Sequence, residues 1–281
     1  MNGRNDWTVP RKRGQPELRG FFVQKREKPR HGQVIPNPRD RAWRDKICPM
    51  PRRARCVLPE VPCHITQRGV DRRETFSGDD DRLTYLRLLR ENLAEAGVGL
   101  LAWCLMTNHV HLVAVPARSD SLSLLFRRVH GRYAQYYNVR WGRTGHLWQN
   151  RFFACALGPS HLWTALVYVE CNPVRAGMVE AAERFRWSSA AAHVNGADGD
   201  GVLDMGWWRQ NAPVEWGALL ATQDRQDAVA LRACTYAGRP FGSDNFVAEV
   251  GDRFGRKWVP GRPRKQIGSR AARVTGERSL F

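Results

Sequence analysis

In Leu105-Met106-Thr107-Asn108-His109-Val110-His111-Leu112-Val113-Ala114-Val115, two histidines stand two residues apart in an apolar, strand-like run. Side chains alternate across a strand, so His109 and His111 share one face while Val110 and Leu112 point the other way into a core. Two imidazoles on one rigid face can chelate a divalent metal. Taken alone, an H-x-H is more often a satisfied core histidine beside a surface one, and a second segment has to decide.

That segment is Tyr168-Val169-Glu170-Cys171-Asn172-Pro173-Val174-Arg175-Ala176-Gly177, preceded by a helix-compatible run from Ser160 to Val167. Tyr168 and Asn172, four apart, are neighbours on one helical face, and Pro173 marks the helix end by restraining Asn172 from helical geometry. Together the two segments resemble the IS200-like, single-tyrosine HUH transposases, especially the group associated with repetitive extragenic palindromes (REP). The resemblance covers about Pro51 to His193. It includes Pro62-Cys63-His64-Ile65-Thr66-Gln67-Arg68-Gly69 as an opening strand and Gly145-His146-Leu147-Trp148-Gln149-Asn150-Arg151-Phe152 as a central loop. Thr107 departs from it, since relatives often carry proline there. The resemblance implies a transposase in which Tyr168 is the nucleophile, His109 and His111 are catalytic, and His109, His111 and Asn172 bind the metal. Mg²⁺ or Mn²⁺ is likewise implied by the family, because two imidazoles by themselves suggest zinc or another transition metal.

Charge points to the partner. Residues 1–55 hold 16 Lys/Arg against 5 Asp/Glu, residues 256–281 hold 8 against 1, and residues 56–255 hold 21 against 21. Basic ends on a neutral body suggest nucleic acid rather than an anionic membrane, since neither end is an amphipathic apolar helix. No apolar run reaches the roughly 18 residues that span a bilayer, and the basic N-terminus lacks a signal core. A cytoplasmic, nucleoid-associated bacterial protein follows, with reduced thiols, since its seven cysteines form no C-x-x-C pair.

The order β-α-β-β-α-β-α predicts an α+β fold. Its core is a ferredoxin-like palm with a four-stranded antiparallel sheet backed by helices, plus a small helical C-terminal appendage and basic tails. Expected elements are a strand over 63–67, a helix over 80–96 capped by Asp79 or Asp80 with a stripe of Leu83, Leu86, Leu89 and Leu93, a helix over 121–138 and a strand over 152–157. Residues 100–115 form one bent strand or two short ones. The domain reading is a basic, disordered extension at 1–49, which upstream of Met50 has the look of a translation-start artefact, then a catalytic domain at 50–193. A linker at 194–212, a small helical region at 213–255 with Ser243 as an N-cap, and a basic tail at 256–281 complete it. The tail's Pro260-Gly261-Arg262-Pro263-Arg264-Lys265 contains the Gly-Arg-Pro core of an AT-hook.

Within the neutral body one stretch is basic and aromatic. Arg118, Arg127, Arg128, Arg132, Arg143 and Arg151 lie there with Tyr133, Tyr136, Tyr137, Trp141 and Trp148, the combination that grips phosphates and stacks bases of single-stranded or hairpin DNA. Tyr136 and Tyr137 compete with Tyr168 as nucleophile, and Glu170 stays unassigned. His64, His130 and His146 are structural or DNA-facing. The activity expected is cleavage and rejoining of single-stranded DNA at a palindromic element through a 5′-phosphotyrosine, by a monomer or homodimer. The alternative is a non-catalytic nucleic-acid-binding regulator derived from such an enzyme. A ferredoxin-like RNA-binding module is disfavoured, because its aromatic pattern is missing from the central strands.

Overall fold

The computed structural model describes residues 54–222 and 225–258. The expectations for residues 1–49, for the segment 260–265 and for all but the first three residues of the tail lie outside that range.

Four strands, β1 (Cys63–Arg68), β2 (Val98–Met106), β3 (His109–Pro116) and β4 (Phe153–Ala156), form one sheet in the order β2-β3-β1-β4. Every neighbouring pair is antiparallel. Helix α1 (Asp79–Ala96) carries the chain from β1 to β2, and α2 (Ser121–Arg140) carries it from β3 to β4. Each crossover skips one strand position, which the other unit fills, so two split β-α-β units interleave as in a ferredoxin-like palm. The run 98–116 is two strands rather than one bent one. Met106 pairs with His109, so Thr107 and Asn108 are the whole hairpin turn.

On α1, Leu86, Leu89 and Leu93 are buried as the stripe requires, but Leu83 is 43% exposed and Tyr85 takes the inward place. The N-cap is Gly78, not Asp79 or Asp80. The carboxylate that satisfies this end is Asp81, whose Oδ2 accepts from the Ser77 backbone N–H at 2.8 Å. At the other end Gly97 adopts φ +63°, and the Arg118 guanidinium donates to the Ala96 carbonyl at 3.1 Å. The left-handed dihedral demands glycine, and a Cβ at 97 would also lie 2.8 Å from Arg118 Nη1 and displace that flexible side chain.

The tyrosine segment forms helix α3 (Leu162–Glu170) and, after a break at Cys171, a further turn α4 (Asn172–Arg175). The break falls one residue earlier than expected, and Asn172 opens the new turn with Pro173 in its first positions, where a missing N–H costs nothing. Beyond it come α5 (Ala190–Asn195), α6 (Met205–Asn211), α7 (Trp216–Ala221), α8 (Arg225–Ala237) and α9 (Asp244–Arg253). The stretch 194–212, expected as a linker, holds α6, capped by the Asp204 side chain and burying Met205 and Trp208. Trp208, Trp216, Leu220 and Leu231 join the same core as the sheet, so the C-terminal helices are part of the palm's interior. Ser243 caps α9 as expected, its side chain accepting from the Phe246 N–H. The six described cysteines are buried and unpaired. Among the described residues no helix is long and apolar enough to cross a membrane.

Glu170, wholly buried, ties α3 to this C-terminal region. Its carboxylate accepts from Ser189 Oγ, from His193 Nδ1 at 2.5 Å and from Trp216 Nε1 at 2.9 Å. Replacing Glu170 by alanine strands three buried donors, and we expect a loss of about 3–5 kcal/mol in denaturant unfolding. Asp80→Ala, which removes an exposed partner of Arg140, should cost under about 1 kcal/mol in the same assay.

His130 is a buried ring packed on Phe126 and Trp148, its Nε2 3.0 Å from Tyr85 Oη. Burial, with a contribution from Arg55, lowers its pKa to about 3. The unfolded chain takes up a proton near pH 6.5 and the folded chain does not until about pH 3, so His130 costs stability progressively as pH falls through that window. His130→Gln cannot take that proton. Its deficit relative to the parent should therefore shrink between about pH 7 and pH 4.5 in paired unfolding curves.

Candidate active site

The β1–β3 register sets His64 opposite Val113, Thr66 opposite His111 and Arg68 opposite His109. Directly opposed side chains share a face, so these groups stand together, while Ile65, Val110 and Leu112 fill the buried face beneath. The His64 and His111 rings stack with centroids 5.2 Å apart, and those of His109 and His111 meet edge-on at 4.9 Å. His64 Nε2 lies 3.0 Å from His111 Nδ1, His64 Nδ1 2.8 Å from Thr235 Oγ1, and His109 Nδ1 2.6 Å from Asn108 Oδ1. Burial is the main cause that lowers His64 to about 3 and His109 to about 4, and it holds His111 well below the usual imidazole range. All three rings are neutral at pH 7.

Helix α3 brings Tyr168 onto this face. Its ring meets His64 and His111 edge-on, at centroid distances of 5.4 and 5.5 Å, and the Arg175 guanidinium sits 4.3 Å from its centroid. Burial pushes the phenol pKa up, and Arg175, Arg232 and Arg68 oppose that shift. The Arg175 guanidinium is also a side-chain hydrogen-bond partner of Tyr168. Asn172, one turn on, donates Nδ2–H to the carbonyls of Tyr168 and Val169 at 3.1 and 3.4 Å, which leaves its Oδ1 free to serve another group. Tyr168, Asn172, Arg175 and Arg232 line one cleft with Met106, the strand partner of His109.

The rival tyrosines are engaged elsewhere. Tyr136 Oη donates to Asp81 Oδ1 at 3.2 Å and Tyr137 Oη to the Glu74 carbonyl at 3.1 Å, so Tyr136 pins the first turn of α1, and Tyr137 the segment before it, onto α2. None of the six arginines expected at DNA lines the tyrosine cleft. Arg118 caps α1 and pairs with Asp120 at 3.5 Å, Arg128 pairs with Glu95, and Arg143 lies 5.7 Å from the Tyr137 ring centroid. Arg132 borders a separate groove with Tyr136 and Arg140, and Arg127 and Arg151 are exposed.

The cations that do act on Tyr168 are Arg68, Arg175 and Arg232. The first two stand inside the motifs at Thr66-Gln67-Arg68-Gly69 and Asn172-Pro173-Val174-Arg175, so motif position was an available signal. Arg232 and Thr235 come from α8, more than sixty residues past Tyr168, and carry no local signal.

No curated protein matches the chain. Solved structures similar to it include two transposases. One is a REP-associated tyrosine transposase bound to a REP hairpin, 19% identical with a TM-score of 0.44, covering 54% of this chain and 92% of that one. The other is a candidate transposase from Deinococcus radiodurans R1, 16% identical with a TM-score of 0.30, covering 45% of this chain and 92% of that one. Residues 58–172 match the family model described as "Transposase IS200 like". That span starts ahead of β1 and ends on Asn172, taking in His109, His111 and Tyr168, so it is this segment of the chain that is similar to the IS200-like transposases.

Proposed function

We propose that this protein is a transposase that cleaves and rejoins single-stranded DNA, folded as a hairpin at a palindromic element, with Tyr168 as the nucleophile. The observation that carries this reading is the placement of Tyr168, edge-on to two neutral imidazoles with the Arg175 guanidinium beside its ring. The phenol oxygen attacks the scissile phosphorus, an O–P bond to Tyr168 forms, and the P–O3′ bond breaks. The 3′ oxygen leaves as a hydroxyl, taking up one proton as the phenol gives one up. The phosphotyrosine keeps the energy of the broken bond, so a 3′-hydroxyl attacking it rejoins DNA without ATP. Arg175 and Arg232 in the cleft, with Arg68 beside His109, offset the negative charge that builds on the phenol oxygen and the phosphate.

His109, His111 and Asn172 would hold the divalent ion, Mg²⁺ or Mn²⁺. The donor set fits: both imidazoles are neutral with Nδ1 occupied by a neighbour, which turns Nε2 into the free donor, and Asn172 has a free amide oxygen. The third protein ligand in this reading is the Asn172 amide oxygen, whose Nδ2 is already engaged by the Tyr168 and Val169 carbonyls. When bound, the ion supplies Lewis-acid polarisation of the scissile phosphate oxygens. Tyr168 faces the histidines of its own chain, so a monomer suffices for the chemistry. The working place is the bacterial cytoplasm, at the nucleoid.

Full-length protein incubated with a labelled hairpin oligonucleotide and Mn²⁺ should give a covalent adduct on a denaturing gel. Tyr168→Phe should abolish it, chelator should abolish it, and Arg232→Ala should slow its formation by about a hundredfold. His109→Ala should lose cleavage while keeping hairpin binding. An adduct undiminished in Tyr168→Phe would refute the nucleophile, and normal cleavage by His109→Ala across a Mn²⁺ titration would refute the ligand.

A further inference from the structure

One continuous chain of proton positions behind His111 follows once Thr235 bonds back along its own helix. Thr235 lies on α8, fully buried, and its hydroxyl donates to the Leu231 carbonyl at 2.8 Å, the back-bond that threonine makes inside a helix. A hydroxyl has one proton, so toward His64 Nδ1, 2.8 Å away, the Thr235 oxygen can only accept. His64 therefore carries its proton on Nδ1. In a neutral ring Nε2 is then the acceptor, and His111 Nδ1, 3.0 Å from it, must be the donor. The lone pair of His111 is left on Nε2. Among the described residues no group bonds to that nitrogen.

We propose that Thr235 and His64 are positioning residues that fix His111 in its Nδ1–H tautomer, so that its Nε2 lone pair is offered to a divalent cation. The metal part of this statement rests on the function proposed above; the tautomer part does not. A ring that donates its second N–H to an acceptor is held in orientation and made a stronger donor to metal. Here the acceptor is a second imidazole, whose own tautomer is set by a hydroxyl from a helix outside the matched segment 58–172. The C-terminal helices thus complete the site rather than decorate it. The diagonal arrangement also explains why His64 stands on β1 facing the motif strand: from the position opposite Val113 it reaches past Thr66 to His111.

The test is the protonation state of each ring nitrogen in the full-length, metal-free protein, read by long-range ¹H–¹⁵N correlation after histidine labelling. Single-histidine variants assign the signals. We expect pyrrole-like Nδ1 and pyridine-like Nε2 for both His64 and His111. In Thr235→Val, which keeps the volume and removes the acceptor, both rings should shift toward the Nε2–H tautomer, because His64 then avoids an unmatched buried N–H. Mn²⁺ affinity, followed by electron paramagnetic resonance, should fall by about tenfold or more. Thr235→Ser should restore both tautomers and affinity, which a loss of packing would not allow. A pyrrole-like Nε2 on His111 in the parent protein, or tautomers unchanged in Thr235→Val, would overturn the proposal. If the tautomers respond as expected while the parent binds no Mn²⁺ at millimolar concentration, the relay stands and the metal reading falls.

Discussion

The register of β1 against β3 is the constraint on which the rest of the site depends. Because it sets Thr66 opposite His111, one sheet face receives Arg68, His64, His109 and His111 together. A slip of one residue would send His64, Thr66 and Arg68 into the buried layer and bring Ile65 up among the histidines. The apolar positions prevent that slip. Ile65, Val110 and Leu112 are completely buried, and exposing them while burying a guanidinium and an imidazole would cost far more than any contact on the polar face returns. The turn contributes as well. Asn108 closes the β2–β3 hairpin, accepts from the Gly69 N–H through its carbonyl, and takes His109 Nδ1 through its side chain.

The second requirement is that α3 be held against this face, and two devices do it from opposite sides. Glu170 turns inward to Ser189, His193 and Trp216, whereas Tyr168 turns toward the histidines. The helix is thus pinned by a buried carboxylate on one side while presenting its phenol on the other. Arg175, from the turn that follows, stacks on the Tyr168 ring and donates back to the Tyr168 carbonyl, which ties α4 to the end of α3.

Legibility in the sequence followed the range of the interactions. Strands, crossover helices and their order are set by local periodicity, and β1, α1, α2 and β4 came within a few residues of expectation. The shared face of His109 and His111 is a two-residue property and was equally readable. What could not be read depended on distant partners. Leu83 fits the apolar stripe of α1, yet Tyr85 took the inward place because Phe76, Tyr133 and His130 surround it. The basic character of 118–151 was readable, but the bond of Arg118 to a helix end and the pairing of Arg128 with Glu95 are invisible to charge counting. The Gly/Asp-rich stretch around 195–201 had the composition of a linker. It is instead a tight turn in which Asp198 accepts from three backbone N–H groups before the tryptophans of α6 and α7 enter the core. Arg232 and Thr235 reach the site only through tertiary packing.

The central claim is that Tyr168 forms the covalent bond to DNA. Peptide mass spectrometry of the protein after incubation with a cleavable hairpin, followed by nuclease trimming, locates the modified side chain directly. A nucleotide phosphate on the peptide carrying Tyr168 is the predicted result. The same mass on a peptide carrying Tyr136 or Tyr137, with the Tyr168 peptide unmodified, would contradict the account.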